Sequence, residues 1–229
     1  MNVLMTILMV LLTFGAYLTA RMLFIRYRSP LLNIVAVGGA LVIAALLLLN
    51  IPYSVYNPGK EIITMLLGPT MVCLAVPLYN NRAVVKKHLA PVLLGVCLAS
   101  SLTIITAMMI AQLAGLSKEV VLSIGSKSIT APVAAEVAKV NGGDPGLAIA
   151  FVIATGTIGA IAGPTLLTLL QITSPLTRGL AMGTLSHGQG TATALMEGEQ
   201  QGLMAGIGMA LSAIVTSTLI PIITPMIVH

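Results

Sequence analysis

The sequence predicts an all-α, polytopic membrane helix bundle of about eight segments, on three observations. Hydrophobic residues fill 57% of the 229 positions and charged residues only 7%, where a soluble domain carries about a quarter charged. Mean hydropathy is +1.05. The chain also falls into successive apolar runs of the roughly 20 residues that cross a bilayer. Eleven basic and six acidic residues cannot coat a soluble surface of this size, which excludes a soluble enzyme and a disulfide-stapled secreted module. The expectation is a single transmembrane domain over 1–229, with 1–114 mostly scaffold spans and 115–229 carrying the site.

The net charge of +5 reports topology. Arg21, Arg26 and Arg28 form one basic joint, and Arg82, Lys86 and Lys87 another. Such joints face the cytoplasm by the positive-inside rule. A nucleic-acid surface needs a basic face with aromatic platforms, and five Tyr, three Phe and no Trp do not supply one. Met1-Asn2-Val3 carries no positive charge and no small-x-small site follows the first apolar run. The first segment is therefore expected to be a retained span with its N-terminus outside.

Segment 1 covers about 3–20 and segment 2 about 31–49, and residues 50–60 form a turn-rich outer loop. Segment 3 runs over 61–79, with a break at Gly68-Pro69 and an end at Pro77. Segment 4 spans 89–114. The five tyrosines, Tyr17, Tyr27, Tyr53, Tyr56 and Tyr79, fall at predicted ends, where amphipathic rings anchor in headgroups. Cys73 and Cys97 lie inside apolar runs, with no disulfide or metal spacing, and read as packing residues.

The second half differs. Segment 5 (117–140) and segment 7 (175–199) are discontinuous helices, apolar at their ends and polar at their centres. The first centre is Gly125-Ser126-Lys127-Ser128-Ile129-Thr130-Ala131-Pro132, the second Ser186-His187-Gly188-Gln189-Gly190-Thr191. Segment 6 (145–171) contains Gly163-Pro164, and segment 8 (202–228) holds Pro221 and Pro225 near its end. Offsetting segment 5 by 60 residues lays Ser126 on Ser186, Lys127 on His187 and Lys118 on Arg178.

A Lys at the centre of a span costs about 2.5–3.5 kcal/mol on insertion scales. Backbone loosened by Gly and Pro survives in a bilayer only inside protein or along a watery cavity. Two such stretches at matching positions are expected of transporters whose half-helix ends meet at the midplane. Half-helices starting at Ala131 and Thr191 would point N-terminal dipoles, each about half a positive charge, at an anion beside Lys127. A small carboxylate fits that chemistry. The plainer alternatives are packing hydroxyls at Ser126, Ser128, Thr130 and Thr191, a satisfied core histidine at His187, and a structural pair of Lys127 with Glu136 or Glu199. Glu136, Lys139 and Asp144 read as a solvated segment end, and Arg178 as a loop charge or helix anchor.

Catalysis is not expected. Gly-x-Ser-x-Gly and His-Glu-x-x-His are absent, Asp144 is the sole aspartate, and Ser186 adjoins His187, so the two do not face each other on a helix. No cofactor or metal is implied.

Ser-Lys-Ser-Ile-Thr-Ala-Pro-Val-Ala (126–134), Gly142-Gly143, Arg-Gly-Leu-Ala-Met-Gly-Thr-Leu-Ser-His-Gly-Gln-Gly-Thr-Ala (178–192) and Glu197-Gly198-Glu199 resemble the LrgB/CidB family over essentially the whole chain. Lys127, Ser128, Thr130, Pro132, Arg178, Ser186, His187, Gly190 and Thr191 match its pattern; Ser126 replaces a usual Pro and Thr193 a usual Arg. The resemblance implies a multi-pass protein of the bacterial plasma membrane, partnered by a small LrgA/CidA-type membrane protein. It implies either antiholin-like or holin-like control of murein hydrolases and lysis, or transport of glycolate, glycerate, pyruvate or similar acids. The expectation is a carrier, with Lys127 as counter-ion, Ser128 and Thr130 as donors, and His187 as hydrogen-bonding or proton-coupling group. Ser186, Gln189 and Thr191 would line the opposite half, and Gly125, Pro132, Gly188, Gly190 and Pro164 would shape the breaks. A homodimer is the expected assembly.

Overall fold

A computed structural model describes residues 3–27, 32, 34–66, 79 and 82–228. Its described elements are helices, in two compact units, 1–79 and 80–229. The predicted Gly68-Pro69 break, the Pro77 end and Cys73 lie outside the described residues.

Unit 1 holds α1 (Val3–Tyr27), α2 (Ile34–Leu48) and α3 (Tyr53–Met65). α1 runs further than its apolar stretch because Arg21, Met22 and Arg26 are good helix formers. Tyr17 consequently sits inside the helix and not at its end. The expected outer loop is helical from Tyr53. Tertiary contact overrides the turn signals there: the Tyr56 and Thr13 hydroxyls meet at 3.1 Å, and Asn57 Nδ2 donates to Glu61 Oε1 at 2.8 Å across one turn.

Unit 2 begins with α4 (Arg82–Lys87) and α5 (Leu89–Leu113), followed by α6 (Lys118–Ile124) and α7 (Ala131–Val140). Then come α8 (Pro145–Leu169), α9 (Pro175–Glu197) and α10 (Glu199–Ile227). The starts are legible locally. The side chains of Ser117, Asp144 and Ser174 accept from Val120, Leu147 and Thr177 N–H groups, and Pro145 and Pro175 occupy first-turn positions that need no donor. α8 continues through Pro164 to Leu169. Cys97 is on an exposed face of α5, contrary to the packing role expected of it.

Among the described residues, α1, α5, α8 and α10 are long and apolar enough to cross a membrane. The discontinuous elements are not through-spans. α6 and α7 have 7 and 10 residues, roughly 10 and 15 Å at 1.5 Å per residue, against a core of about 30 Å. The chain doubles back between them: Ser126 Oγ donates to Ala134 O at 3.4 Å, and Asp144 N–H to Ser123 Oγ at 2.8 Å. α9 doubles back too. Its helix is interrupted at His187 (φ 42°, ψ −129°). Arg178 near its start places Nη2 2.7 Å from Oε1 of Glu197 at its end.

Two hairpins with polar tips thus pack among the long helices of unit 2. The first arm of α9 lies backbone to backbone on α10, because a Cβ at Gly179 would strike the Gln201 carbonyl and one at Gly183 the Ala205 carbonyl. Beyond these, Val92 and Val96 of α5 pack with Leu203, Met204 and Ile207 of α10. Ile104 and Met108 pack with Val121, Leu122 and Ile220.

Candidate functional site

The two tips converge on the middle of α8. Ile129, from the first tip, is fully buried in a cluster with Ala134, Ala148 and Val152. From the second tip, His187 places Nε2 3.0 Å from the carbonyl oxygen of the same Val152. A carbonyl only accepts, so Nε2 carries the proton and Nδ1 is the nitrogen left to titrate.

Small residues on one face of α8 seat the second tip. A Cβ at Gly156 would lie 2.5 Å from the His187 ring, and one at Gly159 would overlap Ser186 Oγ. Gly156, Gly159 and Gly163 recur at i, i+3 and i+7, a stripe present in the sequence but without a distinctive signal, because small residues are common throughout membrane spans. The positive φ of His187 belongs to a region that non-glycine residues avoid, at a cost on the order of 1–3 kcal/mol. Its surroundings hold it there: the ring is tied to Val152, and the His187 carbonyl accepts from Thr191 Oγ1 at 2.8 Å. The second arm therefore begins at Gly188, three residues before the expected Thr191.

A cavity of about 640 Å³ opens beside the tips. Lys127 and Ser128 from the first tip and Ser186 from the second line it, with Thr103 and Thr106 of α5 and Thr155 of α8. Those three threonines carried no special signal, since isolated hydroxyls are common in spans. Its remaining walls are apolar, from Ala162 and Leu166 of α8, Leu170 at its C-cap, and Ala181, Met182 and Leu185 of α9, among others.

Lys127 is half-buried, and its Nζ stands 3.4 Å from Ser128 Oγ. Among the described residues the ion pair within 4 Å is Arg178–Glu197, so neither Glu136 nor Glu199 neutralises Lys127. Thr130 precedes α7 as its N-cap residue without a side-chain cap bond, and Pro132 falls in the first turn. Neither lines the cavity. Gln189 Oε1 accepts from Thr157 Oγ1 at 3.0 Å, next to His187 and not at the cavity wall. Gly125 ends α6 close to Met108, Gly188 is exposed, and Gly190 packs on the Met182 carbonyl. Lys127, Ser128 and Ser186 are thus brought together. His187 and Thr191 are buried next to Ser186, with half-buried Gln189 beside them.

Arg178 is an anchor at the open end of the second hairpin. Its Nε and Nη2 fork onto Glu197 at 2.8 and 2.7 Å, and its guanidinium also donates to Ile172 O, Pro164 O and Thr168 Oγ1. One planar group ties both arms of α9 to the end of α8.

Comparison with known proteins agrees with this layout of motifs. The LrgB-like family matches residues 13–226. A Bacillus subtilis (strain 168) protein described as uncharacterized protein YxaC is 38% identical over 217 residues, covering 95% of this chain and 94% of that protein. Holin-like protein CidB of Staphylococcus epidermidis is 36% identical over 220 residues, 96% of each chain. Holin-like protein CidB of Staphylococcus aureus is 36% identical over 217 residues, 95% of each. No solved structure matches the chain. With a family match over nearly its full length and relatives this similar from end to end, the chain belongs to the LrgB-like family.

Proposed function

We propose that this protein is a carrier of small monocarboxylates, of the glycolate, glycerate, pyruvate or lactate type, in a bacterial plasma membrane with its N-terminus outside. The observation that carries the reading is Lys127, a half-buried ammonium at a cavity wall with no carboxylate within 4 Å among the described residues. A partly desolvated cation whose neighbour is a hydroxyl and not a carboxylate favours an anionic ligand. Ser128 and Ser186 supply hydroxyl donors beside it. His187, one residue from Ser186, is the candidate for proton coupling.

The names of the staphylococcal relatives favour a second reading, a holin-like or antiholin-like membrane regulator of murein hydrolases and lysis. In that reading the chain works with an LrgA/CidA-type small membrane partner, and the cavity is incidental. Both readings accommodate a homodimer.

Purified chain alone in proteoliposomes separates the two. The carrier reading expects saturable uptake of a radiolabelled acid, lost in Lys127→Ala, with an entrapped dye retained. Dye leakage, or no acid flux with correctly inserted protein, would sink it in favour of the regulator.

A further inference from the structure

We infer that the protein holds a Na+ ion between α5, the first arm of α9 and α10, on the face of that arm turned away from the cavity. The three helices run the same way. Val92 and Val96 of α5 pack with Leu203, Met204 and Ile207 of α10, and Ile104 with Ile220. Gly179 and Gly183 of the arm meet Gln201 and Ala205 in the same order. Leu180 of the arm packs into the Val96 cluster. Ser100 is one turn past Val96 and Thr184 one turn past Leu180, so their hydroxyls stand at one level. A Cβ at Gly208 of α10 would lie 2.7 Å from Thr184 Oγ1, and Ser212 is the next turn of α10. Ser100, Thr184 and Ser212 are 4%, 2% and 1% exposed. Among the described residues, the buried side-chain polar atoms without a hydrogen-bond partner are Ser100 Oγ, Thr184 Oγ1 and, near the end of α10, Thr224 Oγ1. Ser212 Oγ donates to Met209 O at 3.0 Å and keeps its lone pairs.

Unpaired hydroxyls are costly in a core, and two at one level on different helices call for a shared guest. That guest is a cation because it meets neutral oxygens at the carbonyl end of the first arm. The arm stops at His187, and a helix carries about half a negative charge at that end. The ion is monovalent because divalent ions take carboxylates. α5 has none, and Glu197 and Glu199 stand at helix ends. The backbone packing of the arm on α10, with glycines at 183 and 208, leaves room for Na+ and not for the larger K+. Half-helix ends hold Na+ in this way beside an anion site. Side chains 184 and 186 lie about 160° apart around the arm, so Thr184 faces α10 while Ser186 faces α8 and the cavity. An anion at Lys127 and a Na+ across the arm attract each other, so each should tighten the binding of the other. The inference goes beyond the carrier reading, and Na+ binding is measurable without any acid.

The test is thermal unfolding of the purified full-length chain in NaCl, KCl and choline chloride at equal ionic strength, with no organic acid present. Na+ should raise the midpoint saturably, by roughly 3–6 °C at ten times its half-saturating concentration. K+ and choline should not. Thr184→Val and Ser100→Ala each remove one oxygen with little change in volume. Both should fold, since only an unpaired hydroxyl is lost, and both should lose most of the Na+ increment. Thr224→Val removes the unpaired hydroxyl outside this layer and should keep the increment. A wild-type midpoint indifferent to Na+ would mean that the hydroxyls share only water, and would overturn the inference. An equal rise with K+, or an increment that survives in both variants, would overturn it too. A Na+ increment lost in both variants, with no acid flux in proteoliposomes, would uphold the cation site and remove the carrier reading.

Discussion

Arg178 and Glu197 stand 19 positions apart, yet their side chains meet at 2.7 Å. A straight α-helix would separate them by about 28 Å. This pair defines the second hairpin: the interruption at His187 reverses the chain, and the Arg–carboxylate fork closes the loop at its open end.

The pair should therefore be energetically coupled. Single Arg178→Ala and Glu197→Ala changes and their double variant form a cycle, read by thermal unfolding in detergent. A coupling of about 1–3 kcal/mol is expected for a charged, two-toothed hydrogen bond that is mostly shielded. Arg178→Lys should recover little, because an ammonium cannot reproduce the planar fork. Additive single effects would argue for a straight α9.

Lys127→Ala should weaken monocarboxylate binding about 10- to 100-fold, the equivalent of one charge-assisted hydrogen bond. Lys139→Ala removes an exposed charge at the end of α7 and should change binding less than about twofold, since water screens it. Equal losses in the two variants would deny Lys127 the role of counter-ion.

His187 should give binding a pH dependence. An anion prefers the protonated ring, so binding should weaken as pH rises through the titration of the ring. Because Nε2 is committed to Val152 O at 3.0 Å, the change belongs to Nδ1. His187→Gln keeps a donor but cannot charge, and should bind with a flattened profile. A profile unchanged in that variant would make His187 a structural residue of the tip.

Glycine substitutions should sort by what each new methyl meets. Gly183→Ala drives a Cβ into the Ala205 carbonyl and Gly159→Ala into Ser186, while at Gly206 nothing lies within 4 Å. The first two should lower thermal stability by about 1–3 kcal/mol, the usual cost of overpacking. Gly206→Ala should be neutral or slightly stabilising from helix propensity. A ranking in which Gly206 is worst would contradict the packing of α9 on α10.

Much of this arrangement was legible. Lys127 and His187, aligned by the 60-residue offset, both stand at hairpin tips, because polar residues and glycines at mid-segment can be buried only where the chain turns inward. What composition could not show was direction. Hydropathy reads alike for a helix that crosses and for one that doubles back, so residues 117–140 and 175–199 looked like spans of ordinary length. The reversal at His187 depends on a positive φ in a non-glycine residue, held by contacts with Val152 and Thr191 that are distant or directional. Likewise Tyr53 to Gly59 carry turn signals, and the Tyr56–Thr13 contact with α1 turns them into helix.

The short arms of the first hairpin have a consequence for biogenesis. Residues 118–140 leave the ribosome before α8 and α10, the helices whose surfaces cover them. Neither α6 nor α7 can stand across a bilayer by itself, and the loop between them exposes backbone and an ammonium that lipid does not solvate. This hairpin must wait at the membrane surface, or inside the insertion machinery, until residues 145–227 arrive. Released chains truncated after residue 140 should accordingly keep the 125–130 loop open to protease, and the full-length chain should hide it. Assembly of the site is expected to be post-insertional, with α8 and α10 admitting the first hairpin to the membrane.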